Sequence, residues 1–118
     1  MVKIGVYGSL KEGYGNHPLI QGAEKLGETT VKGKMTLVYR SYPQLHLTDE
    51  EGASEHVLEV YKVDDEVYSR CRMMELGAGY DEETISTDFG KVIIWVFNDE
   101  SRMTGEPIEA YNKAVLAA

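Results

Sequence analysis

The sequence predicts a small α+β domain, a mixed six-stranded β-barrel with helices packed on its outside. Three observations carry that expectation. Short β-like segments, about six of them, outnumber two helical ones. The strands do not alternate regularly with the helices, which disfavours a doubly wound parallel sheet. Residues 91–97 are apolar on both alternating sets, so this strand needs cover on both sides, as in a sheet that curls around a core or packs under a helix. The 118 residues fit a single domain, 1–118.

The elements follow in chain order. Val2, Ile4 and Val6 alternate with Lys3 and Gly5, so residues 2–7 form a strand. Gly8, Gly13, Gly15 and Asn16-His17-Pro18 mark residues 8–18 as a loop, and residues 19–26 form a short irregular turn of helix. Residues 31–39 are β-like, with Val31, Met35, Leu37 and Tyr39 facing inward; Arg40-Ser41-Tyr42-Pro43 breaks them. Thr48-Asp49-Glu50-Glu51-Gly52 is an acidic, solvated turn, and residues 57–63 form the next strand. Asp64 or Asp65 offers an N-cap for a helix bearing Val67, Cys71 and Met74 at i, i+4, i+7, with Met73 and Leu76 beside them and Gly77 as its stop. Residues 83–87 and 91–97 pair through an Asp88-Phe89-Gly90 turn. Glu106-Pro107 opens a C-terminal helix whose buried stripe is Ile108, Tyr111 and Val115.

Composition narrows the function classes. Twelve Lys and Arg stand against 20 Asp and Glu, a formal charge of −8. So acidic a chain repels phosphate backbones and anionic membrane surfaces, so neither nucleic acid nor membrane is expected as a partner. One cysteine, Cys71, allows no intrachain disulfide and no Cys-based zinc site, and suits a reducing compartment. His17, His46 and His56 are scattered without a ligand spacing, so no metal is expected. The longest apolar run, residues 92–97, is too short to span a bilayer, and the N-terminus carries no secretory pattern; a cytoplasmic location is expected. Eight of the eleven aromatic residues are Tyr, which fits either exposed rings or a cavity with polar walls.

The loop after the first strand, Tyr7-Gly8-Ser9-Leu10-Lys11-Glu12-Gly13-Tyr14-Gly15-Asn16-His17, is the most informative stretch. A strand ending in Gly-Ser lets backbone N–H groups turn into a concave anion nest; a tight structural turn is the plain alternative. Leu10 stands where a dinucleotide-binding loop has its second glycine, and no Gly-Lys-Ser/Thr closes a P-loop, so a carboxylate suits the nest better than a pyrophosphate. Ser9 has no local His or Asp to activate it as a nucleophile.

The run Val6-Tyr7-Gly8-Ser9-Leu10-Lys11, then Gly13, Asn16-His17 and Leu19, resembles the opening of the gamma-glutamylcyclotransferase-like proteins, a group that includes gamma-glutamylamine cyclotransferases and plant avirulence-induced-gene proteins. Tyr42-Pro43, Glu59-Val60-Tyr61-Lys62-Val63, and Met73-Met74-Glu75 followed by Tyr80 are similar to later family motifs in the same order. The resemblance implies a six-stranded barrel with flanking helices and a cavity at one mouth. It implies that Tyr7, Gly8, Ser9 and Leu10 hold the α-carboxylate end of a γ-glutamyl group and that Glu75 is the general acid/base. Tyr14, Tyr42 and Tyr80 are candidates for the cavity wall, with ordinary packing the alternative, and Tyr80 is counted with the substrate-binding residues. The implied reaction is attack of the α-amine on its own γ-carbonyl, giving 5-oxoproline and a free amine, with no cofactor or metal. A non-catalytic module binding a small carboxylate on the same fold is the alternative.

This chain differs from the family pattern at several positions. Leu58 replaces a Gly before Glu59, Arg72 replaces an Asp three residues before Glu75, Leu76 replaces a Gly after it, and Glu82 replaces an Arg two residues after Tyr80. On local sequence alone Glu75 has a second reading, a helix-end surface charge paired with Arg72 at i−3.

Overall fold

The computed structural model describes residues 1–117. Six strands lie on one continuous path: β1 (Val2–Val6), β2 (Glu24–Val38), β3 (Tyr42–Leu47), β4 (Ser54–Val63), β5 (Asp81–Thr87) and β6 (Gly90–Val96). Their order is β3-β2-β4-β1-β6-β5, and a short β7 (Glu106–Ile108) adds to β2. All pairings are antiparallel except β1 with β6. The sheet curls until the end of β6 reaches β3: Phe97 N–H donates to Leu45 O at 2.8 Å, and the His46 Nδ1–H donates to Phe97 O at 2.8 Å. Helix α1 (Asp65–Gly77) packs outside, and a short α2 (Lys113–Ala117) follows β7.

Curling divides the apolar residues into two cores, one on each face of the sheet. Met35, Leu37, Leu45, Leu58, Val60, Val92, Ile94 and Val96 fill the inside. Ile4, Val6, Leu10, Ile20, Tyr61, Val63, Cys71 and Trp95 pack together on the other face, Cys71 being the buried residue of α1. β6 supplies alternate residues to each, which is why neither of its sets is polar. Leu58 is fully buried in the inner core.

The structure corrects several element boundaries. The helical turn expected over residues 19–26 is a 3-10 turn at His17–Ile20, and β2 already begins at Glu24. Tyr42-Pro43 opens β3 instead of ending a strand, because β3 is an edge strand where proline's missing N–H costs no ladder bond. Glu106-Pro107 likewise lies on β7, not in a helix; Tyr111 is buried and Ile108 and Val115 pack on the inner core, but α2 begins only at Lys113. Tyr39, expected to face inward, is 89% exposed, and Met73 and Leu76 face outward on α1. Asp64 is the N-cap, accepting Val67 N–H at 2.8 Å. Gly77 is the last helical residue; the left-handed residue is Gly79, at φ +94°.

Candidate active site

The loop after β1, the β2–β3 hairpin, the end of α1 and the inner end of β6 surround a cavity of about 280 Å³. The sequence-predicted residues Tyr7, Gly8, Ser9, Leu10, Glu75 and Tyr80 all line it, as does Tyr42. Tyr14 does not; its ring packs on Tyr111 with centroids 5.4 Å apart.

The loop is held from behind. Lys11 N–H donates to Gly8 O at 3.0 Å, and Asn16 N–H to Ser9 O at 2.9 Å. The Asn16 Nδ2–H donates to Ser9 Oγ at 2.8 Å, so the hydroxyl serves the loop's own geometry. The His17 Nδ1–H donates to Leu10 O at 2.9 Å. Further along, Glu12 N–H donates to the buried Glu59 carboxylate at 2.9 Å, which also accepts Tyr61 O–H at 2.8 Å. With their carbonyls engaged, the N–H groups of Ser9 and Leu10 have no acceptor among the described residues. The Leu10 side chain is buried in the outer core. Gly8 owes its identity to close approach: a Cβ there would lie 2.6 Å from Pro43 Cγ. The Tyr7-Gly8-Ser9-Leu10 and Tyr42-Pro43 motifs are thus two halves of one contact.

Glu75 sits in the last turn of α1, half-buried against the cavity. Among the described residues no cation and no hydrogen-bond donor meets its carboxylate. Burial pushes it up from the ordinary 4.5 to about 7. The local alternative, a pair with Arg72, does not form; Arg72 Nε turns to Glu82 Oε1 at 3.2 Å. Arg72 and Glu82 put opposite charges face to face across the α1–β5 gap. Glu82 also accepts Tyr68 O–H at 2.9 Å and the Trp95 indole N–H at 3.2 Å, fixing one wall of the cavity.

A Schellman turn aims Tyr80 back at the same site. Tyr80 N–H donates to Glu75 O at 3.0 Å and Gly79 N–H to Leu76 O at 3.1 Å, closing α1 around Gly79. The Tyr80 hydroxyl donates to Pro43 O at 2.6 Å and its ring stacks on Phe97. Tyr7 O–H donates to Trp95 O at 2.7 Å. Burial, then neighbouring Tyr80 and Glu75, raise the Tyr7 phenol well above its usual range; burial, then Glu75, raise Tyr80. Both remain neutral at any working pH.

Sequence reading missed three contributors: Trp95, hidden in a strand apolar on both faces; Asn16, present in the motif but without an assigned task; and Tyr39, whose exposure reverses its expected direction. The three histidines are structural, each bonding a backbone carbonyl: His17 to Leu10, His46 to Phe97 and His56 to Gly33. Among the described residues no three His, Cys, Asp or Glu side chains group as a metal cluster.

Comparison with known proteins places this geometry. Residues 4–112 match the family described as gamma-glutamyl cyclotransferase, AIG2-like. A Pyrococcus horikoshii protein carrying the name "Putative gamma-glutamylcyclotransferase" is 35% identical over 101 residues, which cover 86% of this chain and 83% of that one. A Vibrio cholerae protein with the same name is 31% identical over 100 residues, covering 83% and 84%. The crystal structure of the P. horikoshii protein superposes with a TM-score of 0.75 at 33% identity, over 92% of this chain and 86% of that one. A mouse AIG2-like protein shares the fold at a TM-score of 0.71 and 17% identity, over 95% and 88%.

Proposed function

The chain belongs to the AIG2-like gamma-glutamyl cyclotransferase family, and from that premise we propose that it cyclises a γ-glutamyl amine or amide to 5-oxoproline with release of the free amine. One observation carries the proposal: free amide donors at Ser9–Leu10 and an unpaired, half-buried carboxyl at Glu75 share a single cavity.

In this reading the Ser9 and Leu10 amides receive the substrate's α-carboxylate, which a neutral backbone nest can hold without a lysine or arginine. The substrate's neutral α-amine attacks its own γ-carbonyl carbon. The new C–N bond closes the five-membered ring, and the proton lost from the attacking nitrogen passes to Glu75. Glu75 returns that proton to the leaving nitrogen as the original amide C–N bond breaks. No water is consumed and atoms balance. A carboxyl near 7 suits both halves of the task, since it neither holds nor sheds its proton too firmly. Because the nucleophile is already tethered, holding the folded conformer can contribute roughly 7–11 kcal/mol. Neutral Tyr7 and Tyr80 bound the site without competing for the proton.

Glu75→Gln tests the role. The amide keeps the shape but cannot take the proton, so turnover should fall roughly 10²–10⁴-fold. 5-Oxoproline should still raise the melting temperature of the variant, because the nest does not use the carboxylate. Equal turnover by variant and wild type would remove Glu75 from the reaction. Binding without turnover by wild type, over a panel of γ-glutamyl amides, would indicate a carboxylate-binding module instead.

A further inference from the structure

We propose that the cavity selects γ-glutamyl amides whose leaving amine is uncharged and apolar, preferably aromatic, and that Tyr39 and Tyr42 form the subsite that receives it. This rests on the cyclotransferase reading above.

The hairpin that borders the cavity ends in an exposed aromatic pair: Tyr39 is 89% and Tyr42 51% exposed, and both residues line the cavity. The turn itself does not call for a tyrosine. Tyr39 and Arg40 both hold left-handed backbone, at φ +52° and +56°, where Asn or Gly fits more readily. A bulky ring kept in that conformation at the edge of a cavity points to a task outside folding. The neighbouring wall is apolar, made of Val38, Met74 and Ala78.

Charge narrows the choice of occupant. Apart from Glu75, no charged side chain lines the cavity. A carboxylate on the leaving group would therefore find no cation in the cavity lining, and the nest amides are already committed to the substrate's α-carboxylate. An ammonium on the leaving group would lie close to Glu75 and hold that carboxyl ionised, opposing the proton uptake that the reaction needs.

Three amides that share one ring separate these cases: γ-glutamyl phenethylamide, γ-glutamylphenylalanine with an added carboxylate, and γ-glutamyl 4-(aminomethyl)phenethylamide with an added ammonium. γ-Glutamyl methylamide supplies the ringless reference. Turnover is read as 5-oxoproline release, and affinity by calorimetry on Glu75→Gln. The neutral aromatic amide should exceed both charged relatives by at least about tenfold in kcat/KM, and the carboxylate-bearing one by a similar factor in affinity, the scale of one charge left without a partner. In Tyr39→Asn/Tyr42→Ser, which preserves the left-handed turn, the aromatic-to-methyl ratio should fall several-fold. A charged amide that equals the neutral one, or a ratio unchanged in the double variant, overturns the subsite. Preference in affinity without turnover of any amide would overturn the cyclotransferase reading and leave the subsite standing.

Discussion

A carboxyl that is half-buried and unpaired titrates differently in the folded and the unfolded chain, and Glu75 is such a group. Its folded pKa, about 7, lies above the ordinary 4.5. Between those values the folded protein binds more protons than the unfolded one, so the Glu75 contribution makes stability fall as pH rises through that window, and the loss is complete above it. The shift bounds the effect at about 3 kcal/mol, and partial contact with water reduces it. Glu75→Gln removes this cost, so its melting temperature should pull ahead of wild type from pH 5 to pH 8 and the gap should then level off. A gap independent of pH would mean that the carboxyl is already well solvated. Wild-type kcat/KM should rise over the same window, as the base form of Glu75 appears. The cavity position of Glu75 was legible in the sequence only through the order of family motifs. Its local surroundings suggested a surface pair with Arg72, and that failed because Glu82, ten positions on, is the nearer partner in space. Spacing along one helix cannot disclose a competitor on the next strand.

The end of α1 is where an element decides the geometry of the site. The Schellman turn returns Tyr80 over Glu75, and it depends on one left-handed residue, Gly79. Gly77, the glycine that sequence reading chose as the stop, is still helical and open, with no atom within 4 Å of a Cβ built there. Opposite outcomes follow from the same substitution. Gly77→Ala should stabilise by up to about 1 kcal/mol through helix propensity. Gly79→Ala should destabilise by about 1 kcal/mol or more through its positive φ, and should weaken turnover by loosening Tyr80. Urea unfolding of the two variants checks the signs; two losses of equal size would show that the turn does not depend on Gly79. Elsewhere, alternating apolar residues disclosed β1, an unbroken apolar run disclosed β6, and the Asp64-Asp65 pair disclosed the helix start. Proline misled twice. Pro43 and Pro107 each suit an edge strand as well as a break or a helix's first turn, and only the sheet order, with β3 and β7 both flanking β2, decides between them.

Over the whole molecule, the barrel closes through one thin seam, and the cavity lies across it. The ladders β2–β4 and β1–β4 are long and continuous. Among the described residues, closure from β6 to β3 rests on one backbone bond, Phe97 N–H to Leu45 O, helped by His46 and by the Tyr80 hydroxyl on Pro43. The sequence foretold a curled sheet, because β6 is apolar on both sets, but not where it would close; a bond between positions 45 and 97 leaves no periodic trace. One side of the cavity belongs to the β2–β3 hairpin, and the other to Glu75, Tyr80 and Trp95. A ligand in it therefore bridges the seam. Amide exchange should find Phe97 N–H much less protected than the central β4 amides in the free protein, since opening the seam breaks few bonds and need not unfold the cores. Saturation with 5-oxoproline at about 100 times its Kd favours the closed form by about 2.7 kcal/mol, so exchange at Phe97 should slow by up to about a hundredfold. Central β4 amides that exchange only by global unfolding should slow by the same factor at most, from a far slower start. If Phe97 is as protected as β4 without ligand, the seam does not open separately; if ligand leaves its exchange unchanged, the occupied site does not span the two sides.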